Sequence, residues 1–177
     1  MGQILFVLGG ARSGKSRYAQ TLAAAAGPRV TYLATAEVGD AEMAERVRRH
    51  QEDRPASWRT VEEPRQIATA LRRWAPESDA VLLDCLTLFV TNVLLAPGND
   101  ATTAESEVTA ELESLLAAAR EAPCRTVIVG NEVGLGLVPE YPLGRAFRDI
   151  AGRANQQVAA AADAVYFLVA GIPLSVK

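Results

Sequence analysis

The stretch that most constrains this chain lies near its start, where Ile4-Leu5-Phe6-Val7-Leu8 runs into Gly9-Gly10-Ala11-Arg12-Ser13-Gly14-Lys15-Ser16. An apolar run, a Gly-x-x-x-x-Gly-Lys-Ser turn and a helical segment through Arg17–Leu22 follow one another without a gap. That is a P-loop in the context it requires, a buried strand feeding a glycine-rich turn at a helix start. Gly9 and Gly14 admit backbone angles that a side chain would forbid, so successive N–H groups can point inward at phosphate oxygens. The helix N-terminus adds its partial positive charge. Lys15 can reach β- and γ-phosphates, and the Ser16 hydroxyl can ligate Mg²⁺. The alternative is a glycine turn with an incidental Gly-Lys-Ser, and it leaves the agreement of strand, spacing and helix unexplained.

The chain has 177 residues and is expected to form one domain, residues 1–177, burying about 70% of the surface its unfolded form would expose. A formal net charge of −3 and a pI near 5.3 argue against a general nucleic-acid binder. The first apolar run is the P-loop strand itself, so no signal peptide is expected. No run approaches the roughly 20 apolar residues of a membrane span. Cys85 and Cys124 have neither zinc spacing nor a partner pattern, which points to buried, reduced thiols and a cytoplasmic protein.

Further along, Val30 to Thr35 reads as a second strand, and Glu42 to His50 as a helix with Glu42–Arg46 and Glu45–Arg49 at i,i+4. Trp58 to Glu62 is a short alternating strand, and Pro64 suits the first turn of a helix running to about Trp74. Ala80-Val81-Leu82-Leu83-Asp84 is a buried strand ending in a carboxylate, followed by a helix or helix pair from Leu86 to Leu95. Thr102 with Glu105 predicts a capping box for a long helix to about Glu121. A strand over Arg125 to Gly130, a Gly/Pro-rich loop, a helix over residues 144–162 and a hairpin of Val165–Val169 with Leu174–Val176 complete the pattern. Continuous apolar strands alternating with helices imply an α/β fold: a mostly parallel sheet with helices on both faces and a C-terminal antiparallel edge strand. Ligands of such sheets bind beyond the carboxyl ends of the strands.

Asp84, at a strand end, is placed to hold Mg²⁺ directly or through water beside Ser16; the competing role is a helix N-cap. His50 is the chain's one histidine and lies among Arg48, Arg49 and Arg54. It is either a surface residue or, kept unprotonated by neighbouring positive charge, a nucleophile in a loop that can fold over a nucleotide. Asn131-Glu132-Val133-Gly134 lacks the Lys and Asp of the guanine-reading segment of switch GTPases, leaving Glu132 as a contact for substrate hydroxyls or part of a plain turn. Arg145, Arg148, Asp149, Arg153 and Asn155 recur on one helix, as on a solvated or subunit-facing surface.

Gly9 to Ser16, Ala34-Thr35-Ala36, Arg46-x-x-x-His50-x-x-x-Arg54-Pro55, Trp58-Arg59-Thr60-x-Glu62, Asn131 to Gly134 and Phe147 to Gln156, in this order, make the whole chain resemble the bifunctional adenosylcobinamide kinase/adenosylcobinamide-phosphate guanylyltransferases of cobalamin biosynthesis. The resemblance implies phosphorylation of adenosylcobinamide, then transfer of GMP from GTP to that phosphate through a guanylylated His50, giving adenosylcobinamide-GDP and pyrophosphate. It also implies a RecA-like P-loop fold, a homotrimer, Mg²⁺, GTP and ATP as substrates and a corrinoid as the small-molecule partner. Catalytic roles fall on His50 and Lys15. The nucleotide site would comprise Gly9, Gly10, Ala11, Arg12, Ser13, Gly14, Lys15, Ser16, Ala34, Thr35, Ala36, Gln51, Glu52, Asp53, Arg54, Glu62 and Asp84. Ser16 and Asp84 would serve the metal. Some relatives place Glu where this chain has Asp84, and others a second histidine at Arg49. Two other classes compete: a single-activity small-metabolite kinase with an inert His50, and a non-catalytic nucleotide switch.

Overall fold

A computed structural model describes residues 2–37 and 55–177. The predicted helix over residues 42–50 therefore lies outside the described residues. The elements are β1 (Ile4–Gly9), α1 (Lys15–Ala24), β2 (Val30–Ala34), β3 (Arg59–Glu62), α2 (Ile67–Trp74), β4 (Ala80–Asp84), α3 (Leu86–Leu94), α4 (Ala101–Glu121), β5 (Arg125–Asn131), α5 (Pro142–Ala161), β6 (Ala164–Val169) and β7 (Ile172–Ser175). They build one seven-stranded sheet in the order β3-β2-β4-β5-β1-β6-β7, parallel except for the final β6–β7 pair. The expected α/β fold, with its antiparallel edge strand at the C-terminal end, is the one observed.

The sheet is covered on both faces because its central strands are apolar at every position rather than at alternate ones. In β1, Ile4 and Phe6 face one core cluster, and Leu5 and Val7 face another; all four are buried. Helix α1 packs on β1, β4 and β5, burying Ala19 and Ala23 against the Leu5/Val7 side. The Ile4/Phe6 side is covered by a layer in which α2 packs on α4, α4 on α5, and α3 on both. Helices α1 and α5 leave β1 and the neighbouring β5 toward opposite faces. The crevice this opens beyond the carboxyl ends of those two strands is where a ligand of such a sheet sits.

Local chemistry corrects several expected boundaries. Helix α4 is capped by Asp100, whose Oδ1 accepts from the Thr103 amide at 2.8 Å, so the predicted Thr102 capping box does not form. An aspartate one turn ahead of the apolar run supplies the same acceptor two residues earlier. Helix α2 begins at Ile67, not at Pro64, because Glu63 Oε1 accepts from the amides of Arg65 and Gln66 and holds that stretch as a turn. The terminal hairpin turns at Ala170-Gly171, both with positive φ, so β7 starts at Ile172.

Asp163 fastens three elements at the base of the sheet. Its Oδ2 accepts from the Ile4 amide at 2.7 Å, and Arg120 of α4 donates to both carboxylate oxygens at 2.7 and 2.8 Å. The Ile4 amide first, and Arg120 next, hold this carboxyl below its ordinary value of 3.8. A depressed native pKa means stabilisation that is present above the unfolded value and lost as pH falls through the native one. The side chain is 41% exposed, so solvent screens much of the effect. Asp163→Ala should lower Tm at pH 7 by about 2–4 °C, the shift of a chain this size for about 1 kcal/mol. The gap from the parent should close below pH 4, which thermal melts across pH 3–7 would read.

Candidate active site

Between β1 and α1 the chain makes the turn that the glycines permit. Gly14 is the residue before α1, with φ +91°, and no side chain caps the helix, leaving its first amides for a ligand. Space is tight at both glycines: a Cβ on Gly14, already at a φ that side chains rarely adopt, would lie 3.2 Å from Gly171 Cα, and one on Gly9 would lie 2.6 Å from Ser13 Oγ and 2.9 Å from the Leu168 carbonyl oxygen. Arg12 also has positive φ, 55°, which turns its exposed side chain away at the loop tip. The Ser13 carbonyl accepts from the Gly171 amide at 2.9 Å, so the β6–β7 turn braces the loop from the side. Lys15 Nζ donates to the Gly10 carbonyl at 3.1 Å, lying over the loop it belongs to. Ser13 Oγ is buried without a hydrogen-bond partner among the described residues.

Asp84 ends β4, level with Val129 of β5, which is level with Val7 of β1. At about 4.8 Å per strand the carboxylate-bearing strand stands about 10 Å from the loop-bearing one. The residue that precedes α3 is Cys85, and no side chain caps that helix, which removes the N-cap role for Asp84. Instead Asp84 Oδ2 accepts from the Tyr32 hydroxyl at 2.9 Å. Thr35, fully buried, grips the next peptide: its hydroxyl donates to the Cys85 carbonyl at 2.7 Å and accepts from the Cys85 amide at 2.8 Å. Asn92 of α3 in turn donates to the Thr35 and Pro64 carbonyls at 2.7 and 3.1 Å, tying the ends of β2 and β3 to the site.

Cys85 senses the same neighbourhood. Burial, then the Asp84 carboxylate, pushes its thiol up to about 11, while Lys15 pulls it the other way. Lys15, Asp84 and Cys85 are thus within electrostatic reach of one another.

The oxygen donors fit Mg²⁺. Asp84 Oδ1 and the half-buried Ser16 hydroxyl make no hydrogen bond among the described residues, and both are hard ligands. Among those residues no group of three or more His, Cys, Asp or Glu could cage a metal, so the rest of a shell would be phosphate oxygens and water.

At the end of β5, the Glu132 amide donates to the Gly9 carbonyl at 3.0 Å and places the Asn131–Gly134 segment against the loop. Glu132 Oε1 folds back onto the Gly134 amide, as in a turn. Ala34 pairs in register with both Glu62 and Asp84, so Glu62, Ala34 and Asp84 are level at the carboxyl ends of β3, β2 and β4, with Thr35 and Ala36 just beyond. Arg153 of α5 pairs with Glu105 of α4 at 2.9 Å, and Arg145 donates to the Pro139 and Glu140 carbonyls, so both act within the chain. His50, Gln51, Glu52, Asp53 and Arg54 lie outside the described residues. Sequence reasoning missed Tyr32, Asn92 and Asn155 as site-building residues. Asn155 donates to the Asn131 carbonyl at 3.1 Å, and the Thr87 hydroxyl accepts from the Asn131 amide at 2.8 Å. The signal available was a polar residue on an otherwise apolar helix face, as at Asn92 in Leu86–Leu94.

A glycine turn opening on an uncapped helix start, a lysine over it and a carboxylate at a nearby strand end of a parallel sheet define a P-loop protein, RecA-like as the resemblance anticipated. The sequence profile of the family described as cobinamide kinase / cobinamide phosphate guanyltransferase matches residues 5–176, and the chain belongs to that family of enzymes. It is 46% identical to the bifunctional adenosylcobalamin biosynthesis protein CobU of Salmonella typhimurium, over 98% of this chain and 99% of that one. It is 44% identical to the Escherichia coli protein of the same name, with the same coverage, and 46% identical to CobP of Pseudomonas aeruginosa, over 97% of this chain and 95% of that one.

The raised thiol gives a direct check on the packing under the site. At pH 8 the native Cys85 should carry about a hundredfold less thiolate than a thiol at its ordinary value of 9.0. Iodoacetamide should therefore label Cys85 at least that much more slowly in buffer than in urea, read by mass spectrometry of the Cys85 peptide.

Proposed function

We propose that this chain phosphorylates the aminopropanol hydroxyl of adenosylcobinamide with a nucleoside triphosphate, and then transfers GMP from GTP to the phosphate so formed. The observation that carries this is the loop Gly9–Ser16 opening on the uncapped start of α1, next to the Asp84 strand end, in a chain of the cobinamide kinase / cobinamide phosphate guanyltransferase family.

In the first step the substrate hydroxyl oxygen attacks the γ-phosphorus. The bond to the β–γ bridging oxygen breaks, the hydroxyl proton is lost, and nucleoside diphosphate leaves. Amides of the loop and of the first turn of α1, with the Lys15 ammonium, would face the triphosphate oxygens, where charge shifts as that bond breaks. Ser16 and Asp84 would hold Mg²⁺, which supplies charge neutralisation on the phosphates. In the second step an unprotonated His50 nitrogen attacks the α-phosphorus of GTP and pyrophosphate leaves. A phosphate oxygen of adenosylcobinamide phosphate then attacks the same phosphorus, breaks the P–N bond and frees His50, giving adenosylcobinamide-GDP. The covalent route splits one displacement into two. Support for His50 is its place in the Arg46-x-x-x-His50-x-x-x-Arg54-Pro55 pattern. Ala34, Thr35, Ala36, Gln51, Glu52, Asp53, Arg54 and Glu62 join the nucleotide site on the same grounds. The reading extends to a homotrimer working in the cytoplasm, which rests on the resemblance.

Lys15→Ala should reduce both activities about 10³-fold or more, since each needs the triphosphate held in the loop. Near-normal turnover in either assay would remove the loop from that reaction. His50→Ala should retain no acid-labile label from α-labelled GTP and stop guanylyl transfer, yet leave phosphorylation of adenosylcobinamide largely intact. Joint loss of both activities in a folded, nucleotide-bound variant would give His50 a shared positioning role. Loss of neither would leave a single-activity kinase.

A further inference from the structure

Tyr32 lies on β2, two residues before Ala34, and pairs with Leu82 while Ala34 pairs with Asp84. Residues two apart on a strand, and residues level across a parallel pair, share a face of the sheet. Tyr32 and Asp84 therefore stand on the same face, the one roofed by α1, where Tyr32 belongs to the apolar cluster that includes Leu82, Ala19 and Ala23. The ring is buried, and its hydroxyl reaches one layer up the sheet to Asp84 Oδ2 at 2.9 Å. We propose that Tyr32 is a positioning residue for the phosphate chemistry: it locks the Asp84 carboxylate so that Oδ1 is presented to the metal beside Ser16. This rests on the reading of Asp84 as a metal-holding residue.

Two independent grips meet at Asp84. The Thr35 amide donates to the Asp84 carbonyl at 3.2 Å, and the Thr35 hydroxyl holds both polar groups of the following residue, so the backbone is fixed. The backbone grip leaves the carboxylate free to rotate, because an aspartate χ2 is a broad, two-fold torsion. The Tyr32 phenol removes that freedom by holding one oxygen, which leaves the other in a single direction. A donor behind a ligating carboxylate acts this way in metal sites generally, and its loss costs about 10–100-fold in metal affinity. A buried phenol needs some acceptor. That the acceptor here is the one carboxylate at the β4 end turns a packing requirement into a constraint on the site.

The test is calorimetric titration of Mn²⁺ into the full chain holding a non-hydrolysable GTP analogue. Parent, Tyr32→Phe, Asp84→Asn and the double variant are compared, each with its thermal melt. Phenylalanine keeps the ring in its apolar surroundings and deletes only the donor. The expected result is Mn²⁺ binding about tenfold or more weaker in Tyr32→Phe, with less than about twofold further loss when Tyr32→Phe is added to Asp84→Asn. In turnover, the metal concentration for half-maximal rate should rise more than kcat falls. A lowered Tm with unchanged Mn²⁺ affinity makes Tyr32 a packing residue and overturns the proposal. So does an equal loss of affinity in the Asp84→Asn background. If Asp84→Asn itself binds Mn²⁺ as the parent does, the metal reading of Asp84 fails, and the proposal falls with it.

Discussion

Strand β1 is covered by side chains on both faces and hydrogen-bonded along both edges, to β5 and to β6, so its backbone polarity is satisfied everywhere except past its carboxyl end. A strand held this way cannot shift to suit a ligand. The turn that follows it inherits that rigidity, with Gly9 wedged between Ser13 and Leu168 and Gly14 against Gly171. The amides of the turn and of the first turn of α1 are therefore aimed before any ligand arrives. Preorganisation of this kind is what makes fixed dipoles effective on phosphate charge, because nothing has to reorient as the charge moves.

Much of this was readable in the sequence. The unbroken apolar runs Ile4–Leu8 and Ala80–Leu83 could only be strands buried on both faces, and the loop motif fixed which strand end would be polar. The position of Asp84 at the end of β4 followed from the same run. What sequence could not decide was the partner of each polar side chain. Thr102 and Asp100 are both acceptable caps by residue type, and it is Asp100 whose side chain accepts from the Thr103 amide. Glu63 turned the start of α2 into a turn by reaching two amides at once, an outcome of rotamer geometry rather than propensity. Tyr32 looked like an ordinary core aromatic in a strand, because its meaning lies in a hydrogen bond to a residue 52 positions away.

Asp84, Cys85 and Thr35 show how a polar site is built on an apolar sheet. The Thr35 hydroxyl satisfies a peptide at the point where β4 becomes α3, a place with no strand neighbour to do so. Asn92 extends the network to the ends of β2 and β3, both donors of its amide in use. Asn155, from α5 on the same face, does the same for Asn131. These three side chains, Thr35, Asn92 and Asn155, are buried or half-buried and hydrogen-bonded, and they link the strand ends from β3 to β5. A two-reaction enzyme benefits from such an edge, which offers both steps the same fixed set of groups.

The hydrogen bond from Gly171 to Ser13 joins two parts of the chain that lie far apart in sequence. The loop is made well before its lateral brace and before β6, which lies along one edge of β1. Until those segments are added, a growing chain carries a motif that reads correctly in sequence but lacks the contacts that hold its shape.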